Sequence, residues 1–467
     1  MKMLQSLKRG NEFYSALLKF VGPIILQNLL ISAAGFLDTF MVGVIGQNEM
    51  AALSVANTPF FIALLFVFGV QSGGSVLISQ YWGKGDKQTI SRVVGISWFV
   101  ALSVSLAFGA VVFFFPHQVM GLITNNKELI EIAARYGRIV AFSQVLSCFV
   151  SVYIGARRSC ESPRFGTAVV FISVIVNALL NYIFIFGKLG LPAMGIEGAA
   201  LGTVLARVVE VVITLLYIKF GDRKNRVLPL YVKYLFRPGK IIAGDFFKYS
   251  APVVANEVLW AIGVSLYVVV YGYMADSGNI MAAFSLAGNI DRIVILAALS
   301  LAHGAAVFVG KSIGAGDSRQ EVYSLGKTFV ILSFIAGIAG GLVIILLLFG
   351  LLQPLIFSVL ELTDGARRIC VYMLLVRSVF FPIRTVNGAL IVGVLRGGGD
   401  VNYSVIIDVA GIFFASLPFA ALAAFVFHLN IYWVFLIVVC EEPIKLLFGC
   451  IRFKSGKWIR NVTREIC

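Results

Sequence analysis

Residues 19–45 read KFVGPIILQNLLISAAGFLDTFMVGVI, and they decide which solvent this chain folds in. Beyond Lys19 the stretch holds a single formal charge, Asp38. A run of this length and character crosses the ~30 Å hydrocarbon core of a bilayer as a helix. It is too long for the core of a secretory signal and no A-x-A exit follows, so it reads as a first membrane span. Asp38 lies 19 residues past Lys19, which is ~28 Å along a straight helix. An acid at such depth is costly, and residues of this kind are usually functional.

The rest of the chain has the same character. Of its 467 residues, 59% are hydrophobic and 13% charged, with a mean hydropathy of +0.94. Soluble domains hold roughly 45–50% apolar and about 25% charged residues. The excess apolar surface therefore faces lipid. Apolar stretches at 20–45, 51–80, 90–115, 129–155, 165–187, 195–219, 247–273, 279–310, 323–350, 366–395, 402–427 and 430–451 predict an all-α membrane protein of twelve spans. The six cysteines have no metal-ligand spacing and read as small apolar fillers.

The net charge of +15 orients the helices and does not indicate nucleic acid. Basic residues collect in alternate connections: Lys84, Lys87 and Arg92; Arg157, Arg158 and Arg164; the run from Lys219 to Lys248, which includes Arg223, Lys224 and Arg226; Lys311, Arg319 and Lys327; and Arg396. Both ends join this set, through Lys2, Lys8, Arg9 and Lys19 and through Arg452 to Arg464. The remaining connections carry little more than Lys127, Lys188, Arg367 and Arg368. This asymmetry predicts cytoplasmic termini, an even number of spans and a cell inner-membrane location.

The basic connection divides the chain into a six-helix bundle (1–220), a linker (221–246), a second six-helix bundle (247–453) and a basic cytoplasmic tail (454–467). The halves echo each other. KFVGP (19–23) returns as KYSAP (248–252), QYWGKGDKQ (80–88) near KSIGAGDSRQ (311–320), and IGARRSCES (154–162) as VGVLRGGGD (392–400). Parallel repeats of this kind predict two pseudo-symmetric bundles around a central cleft. RGGGD lacks the Lys-Ser/Thr of a phosphate-cradling loop, and no connection could hold a nucleotide-binding domain, so transport would run on an ion gradient.

Further polar residues lie within spans. Asn177 and Asn181 share a face of the fifth span, and Thr203 on the sixth falls near the depth of Asn181. With Asp38 they form an oxygen-rich level suited to a hard cation or a shared proton. In the second half Glu257 lies ~13 Å in from Lys248. Asp291, Arg292, Arg384, Glu441 and Glu442 fall near mid-depth, with Asp408 and Lys445 nearer the basic side. Such charges should be paired, for example Glu257 with Arg292 or Arg384. Arg207 and Glu210 form a structural i, i+3 pair. No catalytic constellation is present and no enzyme activity is expected.

The spacing of Pro23 and Asp38, NALLNYIFIFG (177–187), GIEGAALGTVLAR (195–207), APVVANE (251–257) and VLRGGGD (394–400) resemble prokaryotic multidrug and toxic compound extrusion (MATE) transporters. The resemblance runs over nearly the whole chain. It implies efflux of amphipathic, mostly cationic small molecules in exchange for sodium ions or protons. It also implies a bend at Pro23, a cation site at Asp38, Asn177, Asn181 and Thr203, and a functional acid at Glu257. Two departures stand out. Some members carry an aspartate at the position of Asn181, and some use an acid in the tenth span, where FFPIRTVNGAL (380–390) offers Arg384.

No cofactor or metal beyond the coupling ion is expected. The expected partners are small-molecule substrates and membrane lipids, with the chain acting as a monomer. A lipid-linked saccharide flippase of the same superfamily is the main alternative, kept open by Arg292, Arg384 and Lys445. A major-facilitator antiporter fits less well, because GKGDKQ departs from the D-R-x-G-R-R pattern of its loop. A non-transporting receptor or scaffold leaves the repeat and the buried charges unexplained. Tag labelling of sealed cells should find both termini protected, and external labelling of either one overturns the even span count.

Overall fold

A computed structural model describes residues 9–221, 227–228, 230–357 and 362–465. Lys2, Lys8, Arg223, Lys224, Arg226 and Cys467, which entered the charge and cysteine readings, lie outside the described residues. Every regular element among the described residues is a helix. The long ones are α1 (Asn11–Gly43), α2 (Gln47–Lys84), α3 (Lys87–Phe114), α4 (Lys127–Ser159), α5 (Arg164–Phe186), α6 (Gly195–Gly221), α7 (Lys240–Gly272), α8 (Ser277–Gly314), α9 (Arg319–Gln353), α10 (Asp364–Leu395) and α11 (Val401–Phe425). These eleven are long and apolar enough to span a membrane. Their outer faces carry exposed Phe40 (71%), Phe99 (74%) and Phe414 (76%), which water would penalise and lipid does not.

The expected twelfth span is broken into α12 (Ile431–Val439) and α13 (Glu441–Lys454). Pro443 supplies the reason. It has no N–H to donate, and its ring crowds the carbonyl four residues back, that of Val439. The break puts Glu441 and Glu442 in the first turn of a new helix, where the helix dipole favours negative charge. Wide π turns run through Gly388–Leu395 at the end of α10 and Gly411–Ser416 inside α11. Such turns often mark functional sites.

The chain forms two compact units. One is Gly22–Val254. The other is Met1–Val21 with Ala255–Cys467. The bounds fall inside α1 and α7, beside Pro23 and Pro252, the prolines of the first repeated motif. In the first unit α2, α3 and α4 pack around Val112, Met120 and Tyr136, while α5 pairs with α6. In the second, α8, α9 and α10 enclose Tyr271, Met373, Leu374 and Phe381.

The repeated loops fold alike. At the end of α2, Gly85 has φ +80° and Asp86 N–H reaches back to the Tyr81 carbonyl (3.0 Å). At the end of α8, Gly316 has φ +83° and Asp317 N–H reaches the Ser312 carbonyl (3.1 Å). The third motif repeats the device. Glu161 (φ +58°) precedes Ser162 N–H bonded to the Arg157 carbonyl (2.9 Å), and Gly399 (φ +87°) precedes Asp400 N–H bonded to the Leu395 carbonyl (2.9 Å). Each is a left-handed closure that satisfies a terminal carbonyl.

The C-terminal segment is anchored in its unit. Trp458 is fully buried and stacks on Phe453, Arg460 N–H bonds the Gly398 carbonyl (2.9 Å), and Asp400 accepts from Arg452 Nε (2.6 Å) and pairs with Arg460 (3.1 Å). A Cβ at Gly399 would also press on Val462 and the Arg460 carbonyl. Gly399→Ala should therefore cost about 1–3 kcal/mol and lower the unfolding temperature in detergent. Gly388→Ala, where a Cβ meets open space, should leave that temperature unchanged. Equal behaviour of the two variants contradicts the anchoring.

Candidate functional site

In the Gly22–Val254 unit the four residues expected at one level do meet. α1 presents Asp38, α5 presents Asn177 and Asn181 one turn apart, and α6 presents Thr203. Asn181 Nδ2 donates to Asp38 Oδ1 at 2.6 Å. It also lies 3.5 Å from Asn177 Oδ1, and Asn177 Nδ2 lies 3.5 Å from Thr203 Oγ1. Thr203 itself donates to the Ala199 carbonyl (3.0 Å). Close packing makes this possible. A Cβ at Gly202 would strike Asn181 Oδ1, so the bare glycine of α6 lets α5 approach.

The polar groups around Asp38 are neutral at short range. Asn181 is fully buried, and its Oδ1 has no hydrogen-bond partner. The buried Tyr136 hydroxyl lies against Thr203. Arg207 is within electrostatic range of Asp38, but its short ion pair is with Glu210 (2.6 Å), as the i, i+3 spacing suggested. Arg207 and Glu210 cancel, and the charge of Asp38 is left over.

The second unit holds a continuous ion network. Arg384 Nη1 contacts both oxygens of Asp291 (2.7 and 2.6 Å), and Arg377 reaches the same carboxylate at 3.5 Å while donating to the Ala287 carbonyl. Arg384 Nε lies 3.8 Å from Glu442, whose other oxygen accepts from Asn387 Nδ2 (2.7 Å). Lys445 binds Asp408 at 2.9 Å and Glu441 at 3.6 Å. Asn256 Nδ2 donates to Asp408 (3.1 Å), and Arg396 pairs with Glu257 (3.0 Å). Lys445 runs along bare Gly411, so its methylenes are buried while its ammonium reaches the acids.

Two expectations need correction. Glu257 pairs with Arg396, not with Arg292 or Arg384. Arg292 is exposed and stands outside the ion pairs of the described residues, because consecutive helix residues point about 100° apart and Asp291 takes the inward position. Arg377, Asn256, Asn387 and Tyr267 were not singled out in the sequence. Arg377 had a usable signal, since it lies two turns before Arg384 on one face of α10. Arg396 was read as a loop charge, yet it is almost wholly buried.

Comparison with known proteins places this geometry. The MatE family profile matches residues 23–183, which contain Asp38, Asn177 and Asn181. The probable multidrug resistance protein YoeA of Bacillus subtilis is 24% identical, over 96% of this chain and 95% of its own length. The probable multidrug resistance protein NorM of Thermotoga maritima is also 24% identical, over 97% and 95%. Over these residues and along nearly its whole length, the chain is similar to MATE transporters. The fold agrees. The crystal structure of the eukaryotic MATE transporter AtDTX14 superposes with a TM-score of 0.82 at 16% identity, covering 98% of this chain and 97% of that one.

The chain thus has the helices of a multi-pass membrane protein, resembles known transporters, and carries two polar clusters, one in each unit. The Asp291–Arg384 contact can be tested by charge balance. Asp291→Asn or Arg384→Gln alone unbalances the network and should cost about 1–3 kcal/mol of stability. The double variant should recover at least half of that loss in thermal unfolding. Additive losses contradict the pairing.

Proposed function

We propose that this protein exports amphipathic, mostly cationic small molecules in exchange for protons or sodium ions that bind at Asp38. One observation carries the reading: the short-range partner of Asp38 is a neutral amide, and the neighbouring arginine is committed to Glu210. A carboxylate inside a spanning helix with no matched base favours a bound cation. The unpartnered Asn181 Oδ1 and the hydroxyl of Thr203 supply further oxygens. The names of the bacterial relatives, multidrug resistance proteins, support the class of cargo. On this reading no organic cofactor takes part, no bond of the cargo is made or broken, and a single chain in the inner membrane does the work with both termini in the cytoplasm.

Coupling requires the ion to favour one conformation over another. α5 grips α1 at two points: Thr167 Oγ1 donates to the Pro23 carbonyl (2.7 Å) and Asn181 donates to Asp38. Neutralising Asp38 weakens the second grip, because the charge-assisted hydrogen bond becomes an ordinary one. The helix is already weakened at Pro23, so its far end is free to move relative to the pinned proline. Glu257, the other acid expected to couple, is paired with Arg396 at 3.0 Å. A flippase for phosphorylated lipids would call for surplus positive charge, yet Arg384 and Lys445 are each matched to an aspartate.

Asp38→Asn should insert and fold normally but lose gradient-driven export at least tenfold. Asn181→Asp should increase the dependence of export on sodium. Wild-type export by Asp38→Asn under both sodium and proton gradients removes this site from the mechanism.

A further inference from the structure

The network of the second unit contains five carboxylates, Asp291, Glu257, Asp408, Glu441 and Glu442, against four bases, Arg377, Arg384, Arg396 and Lys445. The distances say where the unmatched charge lies. Arg384 is 2.6 Å from Asp291 but 3.8 Å from Glu442. Lys445 is 2.9 Å from Asp408 but 3.6 Å from Glu441. Arg384 and Lys445 each give the short contact to an aspartate, and the adjacent glutamates at the start of α13 share what remains.

A second observation concerns protons. Glu441 Oε2, Tyr267 Oη, Ser416 Oγ and the Val438 carbonyl form a chain of four oxygens, linked at 3.0, 2.8 and 3.2 Å. Filling all three links at once takes three protons. Tyr267 and Ser416 carry one each, the Val438 carbonyl carries none, and the third can reside only on Glu441. With it in place, Glu441 donates to Tyr267, Tyr267 to Ser416, and Ser416 to Val438. When it leaves, the hydroxyls turn round. Ser416 then donates to Tyr267 and Tyr267 to the Glu441 carboxylate, and only the 3.2 Å link opens. Both charge states are hydrogen-bonded, which a group that exchanges a proton requires.

We propose that Glu441 is a proton-exchange site, held by the Tyr267–Ser416 hydroxyl relay. It is distinct from the Asp38 site, deepens the antiport reading and rests on that reading only for its role in transport. The step balances as transfer of one proton from the Glu441 carboxylic acid to water, giving a carboxylate and a hydronium ion. The charged and titratable groups that face Glu441 are Glu442 and Lys445 on its own helix, Tyr267 and Tyr271 on α7, Arg384 on α10 and Asp408 on α11. The nearest cation is Lys445, at 3.6 Å from Glu441. The π turn of α11 ends at Ser416, so the irregular backbone also fixes the relay.

The test is infrared difference spectroscopy on the full chain in liposomes, titrated with pH in H2O and D2O. A carboxylic-acid C=O band should be present at low pH and vanish as pH rises. It should be lost in Glu441→Gln, shifted in frequency in Tyr267→Phe and retained in Asp38→Asn. Absence of the band from the wild-type protein overturns the proposal, as does a band in Asp38→Asn/Glu441→Gln as strong as that in Asp38→Asn alone. If Glu441→Gln fails to fold, an unshifted band in Tyr267→Phe overturns it instead. A band lost in Asp38→Asn and kept in Glu441→Gln assigns the proton to Asp38, which supports the antiport reading and rejects the Glu441 site.

Discussion

A charge inside a spanning helix has no water to turn to, and the polar architecture of this protein follows from that. Asp291 draws two arginines, Asp408 draws a lysine and an amide, and Glu257 draws an arginine that is almost completely enclosed. The pairing is nearly complete, so the places where it stops carry information. It stops at Asp38 in one unit and at the Glu441–Glu442 step in the other. In both, the nearest groups are amides and hydroxyls, which can accommodate a proton or a small cation and still be hydrogen-bonded when it has gone.

Helix approach sets these contacts. Helices in lipid gain little from burying apolar surface against one another, so close contact depends on small residues. Gly202 admits Asn181 to Asp38, and Gly411 admits the stem of Lys445. Proline does the opposite at Pro443, where it breaks the last span and delivers two acids to a helix start. The four left-handed loop closures, two in each half, show that the repeat preserves backbone geometry where its residues differ. Arg157 and Leu395 occupy matching places, yet the arginine lies over Phe165 and Tyr217 while the leucine is fully buried.

Much of this was legible in the sequence because hydrocarbon is a strict solvent. Length and hydropathy gave the first eleven spans to within several residues, and depth arithmetic brought Asp38, Asn177, Asn181 and Thr203 to one level. The break within the last span, at Cys440, was not foreseen, because a sliding apolar window tolerates a proline that a helix does not. Ion pairs were harder. Depth alone gave Glu257 two false partners, since depth ignores which way a helix face points. Arg396 was hidden by its loop-like motif. The Tyr267–Ser416 relay had no sequence signal, because it joins α7 to a π turn whose register the residues do not announce.

The account stands on one claim, that a cation moving down its gradient does the work of export. Purified protein in liposomes, loaded with a fluorescent cationic dye and given a sodium gradient or a pH gradient one at a time without ATP, tests it most directly. The account predicts that an inward gradient of at least one of these cations accelerates dye release, and that an ionophore collapsing the gradient abolishes the acceleration. Dye release at one rate under both gradients, and in their absence, contradicts it.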